Sequence, residues 1–195
     1  IKGIKPEYSY VSDLEFGYQL TPHSILSINV YDVITHQPIV YFVSTDTLGN
    51  INDNYINTGH AGTQGIETEY KYKNDWGTIF LNYAYYSASN KNKIEVYKTP
   101  SSFSLLGFAN HRLNFNASIK AGKSFTLNST ASYFSQRYYI SGYDSNGDAV
   151  FDKLNDNFLI NVYVNYKTPL KGLTVGAGVY DILNEHPPFV QPYNG

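Results

Sequence analysis

An all-β, antiparallel up-and-down meander forming part of a transmembrane β-barrel is the fold class predicted by three features of this 195-residue chain. Apolar and polar residues alternate with period two in about eight runs, which is the signature of a strand with two different faces. The clearest runs hold that pattern for roughly ten residues, the length a tilted strand needs to cross a bilayer and longer than the usual strand of about five or six. The connections are also asymmetric. Short turns fall near residues 21, 74, 122 and 169, and long segments fill every connection between them, the layout of a membrane barrel.

Gly65 to Tyr86 shows the rule in one stretch. Ile66, Thr68, Tyr70 and Tyr72 share one parity and Glu67, Glu69 and Lys71 the other, so the strand has one apolar and one charged face. Asn74 and Asp75 have side chains able to close a turn, after which Ile79, Leu81, Tyr83 and Tyr85 resume the apolar face. Rings crowd the ends of that face, with Tyr70, Tyr72 and Trp76 at the turn and Tyr83 and Tyr85 at the far end. A membrane interface selects this placement, because the ring is apolar and its polar tip stays wet.

The other runs follow in order. Leu14, Phe16, Tyr18 and Leu20 oppose Asp13, Glu15, Gly17 and Gln19, and Thr21-Pro22-His23-Ser24 turns the chain into Leu26, Ile28 and Val30. From Ile34 to His60 the pattern dissolves, although Ile39 to Val43 could extend a strand beyond the apolar band. A second long polar segment covers Ser87 to Asn110. Leu113, Phe115, Ala117 and Ile119 then alternate with Arg112, Asn114, Asn116 and Ser118, and Ala121-Gly122-Lys123-Ser124 turns into Phe125, Leu127, Ala131 and Tyr133. SGYDSNGDAVFDK reads as a third polar loop. Phe158, Ile160, Val162, Val164 and Tyr166 form the next apolar face, opposite Asn161 and Asn165, and Thr168 to Gly172 leads into Leu173, Val175, Ala177 and Val179.

Composition narrows the function. Charged residues make up 15% of the chain and the net charge is −2, which argues against a nucleic-acid footprint. Without cysteine there is no disulfide, thiolate metal site or cysteine nucleophile. No apolar run reaches the length of a spanning helix. Histidines at 23, 36, 60, 111 and 186 show no spacing that places two on one strand face, so no metal site is expected. Asp144-Ser145-Asn146-Gly147-Asp148 spaces its carboxylates like the start of a calcium loop, yet lacks the glycine at the sixth position and the closing glutamate, and a plain turn is expected. No Gly-x-Ser-x-Gly setting appears, so no catalytic triad or cofactor is assigned.

In a barrel, the polar parity faces the lumen. Glu67, Glu69, Lys71, Arg112, Asn114, Asn116 and Asn161 are the lumen candidates, with Arg112 and Glu67 or Glu69 the expected ion pair. Lys91 and Lys93 in a long loop, and Arg137, Tyr138, Tyr139 and Tyr143 at a strand's outer end and in the loop beyond, offer cationic and aromatic contact surface to an external ligand.

Over nearly its whole length the chain resembles the C-terminal half of the barrel of a TonB-dependent outer-membrane receptor. The segments that carry the resemblance are IKPEYS, NVYD, NTGHAGTQGIE, ANHRLNFNAS and GLTVGAGVYDILNEHPP, in that order. The resemblance implies that residues 1–195 are a single barrel segment of a larger receptor in the bacterial outer membrane. Its implied partners are membrane lipid, a plug domain with the remaining strands, the TonB complex, and a small-molecule or glycan cargo such as a siderophore, haem or cobalamin. The start at Ile1 without any Met, together with strand parity, leads to the expectation that the plug, the earlier strands and a closing strand lie outside this chain. Two rivals make different demands. A soluble β-sandwich or adhesin-like module would bury Leu26, Ile28, Ile79, Leu81, Phe158, Ile160 and Val162 in a common core, and a small barrel enzyme would need a serine and an acid beside His111.

Overall fold

The computed structural model describes residues 3–45, 48–88, 91–94, 97–186 and 190. The predicted alternation becomes an eight-stranded antiparallel sheet made of β1 (Tyr8–Thr21), β2 (Ser24–His36), β5 (His60–Asn74), β6 (Gly77–Ser87), β7 (His111–Ala121), β8 (Phe125–Phe134), β11 (Asn157–Lys167) and β12 (Thr174–Val179), paired in that order. Two further hairpins stand apart. β3 (Ile39–Thr45) pairs with β4 (Ile51–Asn57), and β9 (Arg137–Tyr143) with β10 (Ala149–Leu154), each as its own two-stranded sheet.

Both hairpins lie in segments whose periodicity is broken, and β9–β10 corrects the reading of SGYDSNGDAVFDK as a loop. Its register slips between Val150 and Phe151, so the bulge erases the period-two signal that would have revealed a strand. Asp144 makes the turn: its Oδ1 accepts hydrogen bonds from the amides of Asn146 at 2.8 Å and Asp148 at 2.9 Å. The carboxylate is thus committed to the backbone, and no cluster of metal ligands occurs among the described residues. The turns near 74 and 168 close by the same chemistry. Asn74 Oδ1 accepts from the amides of Trp76 and Gly77, and Thr168 Oγ1 accepts from the amide of Leu170.

Register converts the parities into two continuous faces. Phe16 lies opposite Ile28, Ile28 opposite Thr68, Tyr70 opposite Leu81, Leu81 opposite Phe115, Phe115 opposite Ala131, and Ala131 opposite Ile160. The other face runs from Ser27 to Glu69, Asn82, Asn114 and Ser132. On the apolar face, rings gather at both ends. Phe125 stacks on Tyr166 at 4.7 Å and Tyr72 lies 5.5 Å from Trp76 at the short-turn end. Tyr85 lies 4.8 Å from His111, and Tyr133 4.7 Å from Phe158, at the other.

This apolar face is not packed against protein. Phe16 is 62% exposed, Tyr18 70% and Val175 53%, and none of Leu26, Ile28, Ile79, Leu81, Phe158, Ile160 and Val162 is buried. Leaving a Val, Leu or Phe side chain in water forgoes about 1.5–3 kcal/mol each, so a sheet with this face requires an apolar phase against it. The sandwich rival needed those same residues in a shared interior, and the structure overturns it. The most deeply buried apolar side chains lie elsewhere: Leu106 at 0%, Ile94 at 1% and Ala88 at 1% belong to the segment between β6 and β7. β1 and β12 are the edge strands of this sheet, exposed along their full lengths, and among the described residues neither pairs with a strand on its outer side.

Tight spots on the polar face involve glycine. Tyr31 pairs with Gly65 across β2 and β5, and a Cβ on Gly65 would meet the Tyr85 carbonyl oxygen at 2.3 Å and the Tyr31 hydroxyl at 2.6 Å. A ring laid over a glycine covers backbone that would otherwise lack a side chain. Gly65→Ala in the full-length protein is expected to lower stability in detergent by about 1–3 kcal/mol, read as a lower unfolding midpoint. An unchanged midpoint would show that β6 and Tyr31 yield freely.

Candidate functional site

The polar face places the lumen candidates on neighbouring strands. Asn82 lies between Glu69 and Asn114, and Ala84 between Glu67 and Arg112. From β6 to β11 the face is dominated by amides and hydroxyls that bond one another: Ser132 Oγ donates to Asn114 Oδ1 at 3.1 Å, and Asn161 Nδ2 donates to Thr130 Oγ1 at 3.0 Å. Asn161 Oδ1 also accepts from the Asp181 amide at 2.8 Å. Asn116 is exposed on β7 beside Phe80 and Thr130.

The expected ion pair between Arg112 and Glu67 or Glu69 is not formed. Ala84 intervenes between Arg112 and Glu67, which leaves them two strand spacings apart, about 9–10 Å. Glu69 instead takes Lys71 at 2.5 Å, an exposed pair worth about 1 kcal/mol or less. Arg112 lies over the Phe134 ring, 5.1 Å from its centroid.

The long connections converge at the opposite end from the short turns. The segment from 88 to 110 is held to the sheet through Tyr86, whose hydroxyl donates to the Phe108 carbonyl at 3.2 Å and accepts from the Leu105 amide at 3.3 Å. Asn110 Nδ2 donates to the carbonyls of Tyr86 and Phe103, both at 2.9 Å. Lys91 forms an ion pair with Asp32 on β2, and the Lys93 amide donates to the His60 carbonyl at 2.8 Å. Lys91 is therefore already engaged, while the Lys93 side chain is exposed.

The β9–β10 hairpin meets this segment where the Gly107 amide donates to the Tyr138 carbonyl at 2.9 Å. Lys153 Nζ sits 5.0 Å above the Tyr138 ring. Tyr139 pairs with Asp152 and Tyr143 with Ala149 beside the turn. Arg137 is half-buried at the base of the hairpin, and its Nε is buried without a hydrogen-bond partner. Between hairpin and segment lies a cleft of about 560 Å³ lined by Tyr85, Phe103, Asn110, His111, Tyr138 and Lys153 among others. On β3, Tyr41 donates to Asp53 Oδ2 at 3.0 Å, a bond that pushes the phenol pKa up.

His111 is in a ring cluster rather than a catalytic setting. Its Nδ1 is 2.8 Å from the Tyr83 hydroxyl, its ring stacks on that of Tyr83 at 6.1 Å, and it lies tilted against Tyr85 at 4.8 Å. His36 and His60 were missed by sequence spacing: they are opposite one another on β2 and β5, with ring centroids 6.2 Å apart. Residues 24 positions apart become neighbours only through register, which no local spacing displays.

No curated protein sequence matches the chain. Solved structures do. The siderophore receptor PirA from Acinetobacter baumannii matches with a TM-score of 0.70 at 17% identity, over 93% of this chain and 28% of that one. A variant of the ferric enterobactin receptor PfeA from Pseudomonas aeruginosa, in complex with enterobactin, matches with 0.71 at 18%, over 94% and 27%. The FrpB iron transporter from Neisseria meningitidis matches with 0.68 at 13%, over 95% and 28%. The chain thus spans little more than a quarter of the length of these receptors, and at such identities the likeness shows the fold. The family model described as TonB dependent receptor-like, beta-barrel matches residues 2–182, and the chain belongs to the TonB-dependent receptor β-barrel family.

Proposed function

We propose that the chain is part of the wall of an outer-membrane receptor that takes up a scarce nutrient and does no chemistry on it. The observation that carries this reading is the division of eight registered strands into one apolar face with aromatic ends and one polar face, with every long connection at one end. The apolar face meets lipid. The polar face, with Glu67, Glu69, Lys71, Arg112, Asn114, Asn116 and Asn161, lines the lumen against a plug domain, and TonB acts on that plug to admit cargo.

Cargo is captured at the end bearing the long connections, where Arg137, Tyr138, Tyr139, Tyr143 and Lys93 surround the mouth, with Lys91 serving to hold the segment in place. The similar receptors are solved with enterobactin and with ferripyoverdine, which supports a metal chelate ahead of haem, cobalamin or a glycan. The test uses the full-length receptor in cells with and without TonB, offered labelled ferric catecholates, haem, cobalamin and glycans in turn. TonB-dependent uptake of one class is expected, with Arg137→Ala weakening binding of that cargo by about tenfold. Uptake that persists without TonB, or that is unchanged on deleting the receptor, overturns the reading.

A further inference from the structure

Where β2 ends and β5 begins, the large sheet gives way to the separate β3–β4 hairpin. His36 closes β2, His60 opens β5, and the two are directly opposite in the register. Immediately beyond them the backbone changes direction, with φ of 52° at Gln37 and 48° at Gly59, both in the left-handed region. The Gln37 amide donates to the Gly59 carbonyl and the Thr58 amide to the Pro38 carbonyl, each at 3.2 Å. The histidine pair therefore stands at the base of the hairpin.

Tyr8 extends the row onto β1, its ring stacked on His36 with centroids 5.2 Å apart, and Tyr10 meets His36 in a T-shaped contact at 5.8 Å. Both histidines are half-buried, and among the described residues neither imidazole takes part in a hydrogen bond or an ion pair. Two neutral imidazoles facing each other without partners are a donor set. An ion held in the ring plane about 2.0–2.1 Å from an imidazole nitrogen lies about 3.2 Å from the ring centroid, so two rings on one ion have centroids about 4.5–6.4 Å apart as the N–metal–N angle opens from about 90° to about 180°. The observed 6.2 Å falls within that span.

We propose that His36 and His60 together bind one divalent transition-metal ion, of the copper, nickel or zinc class, and that the ion fastens the base of the β3–β4 hairpin to the sheet. Imidazole nitrogen suits these ions, whereas calcium and magnesium seek oxygen. No group of three or more metal-binding side chains occurs among the described residues, so water fills the remaining positions. The ion is separate from any cargo in the lumen, because the pair shares the face of Leu26 and Tyr70, ten residues along β2 and β5. That is about 33 Å along the tilted strands, past the half-thickness of the hydrocarbon layer, about 15 Å. The site meets water rather than lipid.

The test is acylation of histidine by diethyl pyrocarbonate in the purified full-length protein, mapped by mass spectrometry with and without Zn(II). With Zn(II) at about ten times its dissociation constant, His36 and His60 are expected to react about tenfold more slowly, and Mg(II) should leave them unprotected. Hydrogen exchange at the Gln37 and Thr58 amides should slow in the same samples. His36→Gln should abolish the protection of His60, with unaltered heat-dependent gel mobility showing that the barrel is folded. Equal reaction rates with and without Zn(II), protection seen only at millimolar Zn(II), or protection of His60 that survives His36→Gln would each overturn the site. Protected histidines with unslowed exchange at Gln37 and Thr58 would overturn the fastening of the hairpin.

Discussion

Leu81→Arg in the full-length receptor is expected to cost about 2–4 kcal/mol of folding free energy in phospholipid vesicles, the penalty for a cation on the lipid face at the bilayer midplane. Asn82→Arg, one residue along the same strand, is expected to stay within about 0.5 kcal/mol. Leu81 is in the middle of β6, between Tyr70 and Phe115 on the apolar face, while Asn82 lies between Glu69 and Asn114 on the polar one. Nothing in amino-acid type distinguishes the two arginines. Only the medium on each side of the sheet does. Urea titrations of refolding into vesicles, with heat-dependent gel mobility as the readout, measure both variants on one scale. Equal costs for the pair would mean that both faces meet the same solvent, and the assignment of the apolar face to lipid would fail.

The same two residues show why so much of the sheet was legible in the sequence. Leu81 and Asn82 declare their faces through a period of two, and that period needs no knowledge of partners. The turns were legible for an equally local reason, since Asn74 and Thr168 use their own side chains to cap the amides that follow. Legibility ended where distance or irregularity intervened. The slip at Val150 and Phe151 hid the β9–β10 hairpin. Whether Arg112 meets Glu67 or Glu69 depends on which strands adjoin, and β6 stands between β5 and β7, with Ala84 separating Arg112 from Glu67. The pairing of His36 with His60 was visible only after register had brought β2 and β5 together.

Charge also bears on how the two ends differ. Carboxylates Asp32, Asp53, Asp144, Asp148, Asp152 and Asp156 lie on or between strands at the end with the long connections, several of them already occupied by Lys91, Tyr41, Tyr133 or backbone amides. Near these carboxylates, Arg137 Nε is buried without a hydrogen-bond partner among the described residues. Local pairing, rather than the net charge of −2, thus sets the electrostatic character of this end.

Leu106→Ala is expected to release the segment between β6 and β7 while leaving the barrel folded. Leu106 is fully buried and Ile94 nearly so, in a stretch with no strand of its own among its described residues. Truncating such a leucine costs about 2–5 kcal/mol. Ordering a residue costs about 1–2 kcal/mol of backbone entropy, so this small cluster is the term that keeps the segment folded, and the sheet's hydrogen bonds do not depend on it. The polar ties through Tyr86, Asn110, the Lys91–Asp32 ion pair and the Lys93 amide each contribute about 0.5–1.5 kcal/mol and do not replace the burial lost when the leucine is truncated. Trypsin added to intact cells should then cut at Lys91, Lys93 or Lys98 about 30-fold faster or more, since cleavage follows the population of the open form. Heat-dependent mobility of the barrel should be unaltered. Cleavage at the wild-type rate would mean that the buried leucine contributes nothing to holding the mouth in shape, and loss of the barrel's mobility shift would mean that segment and sheet fold as one unit.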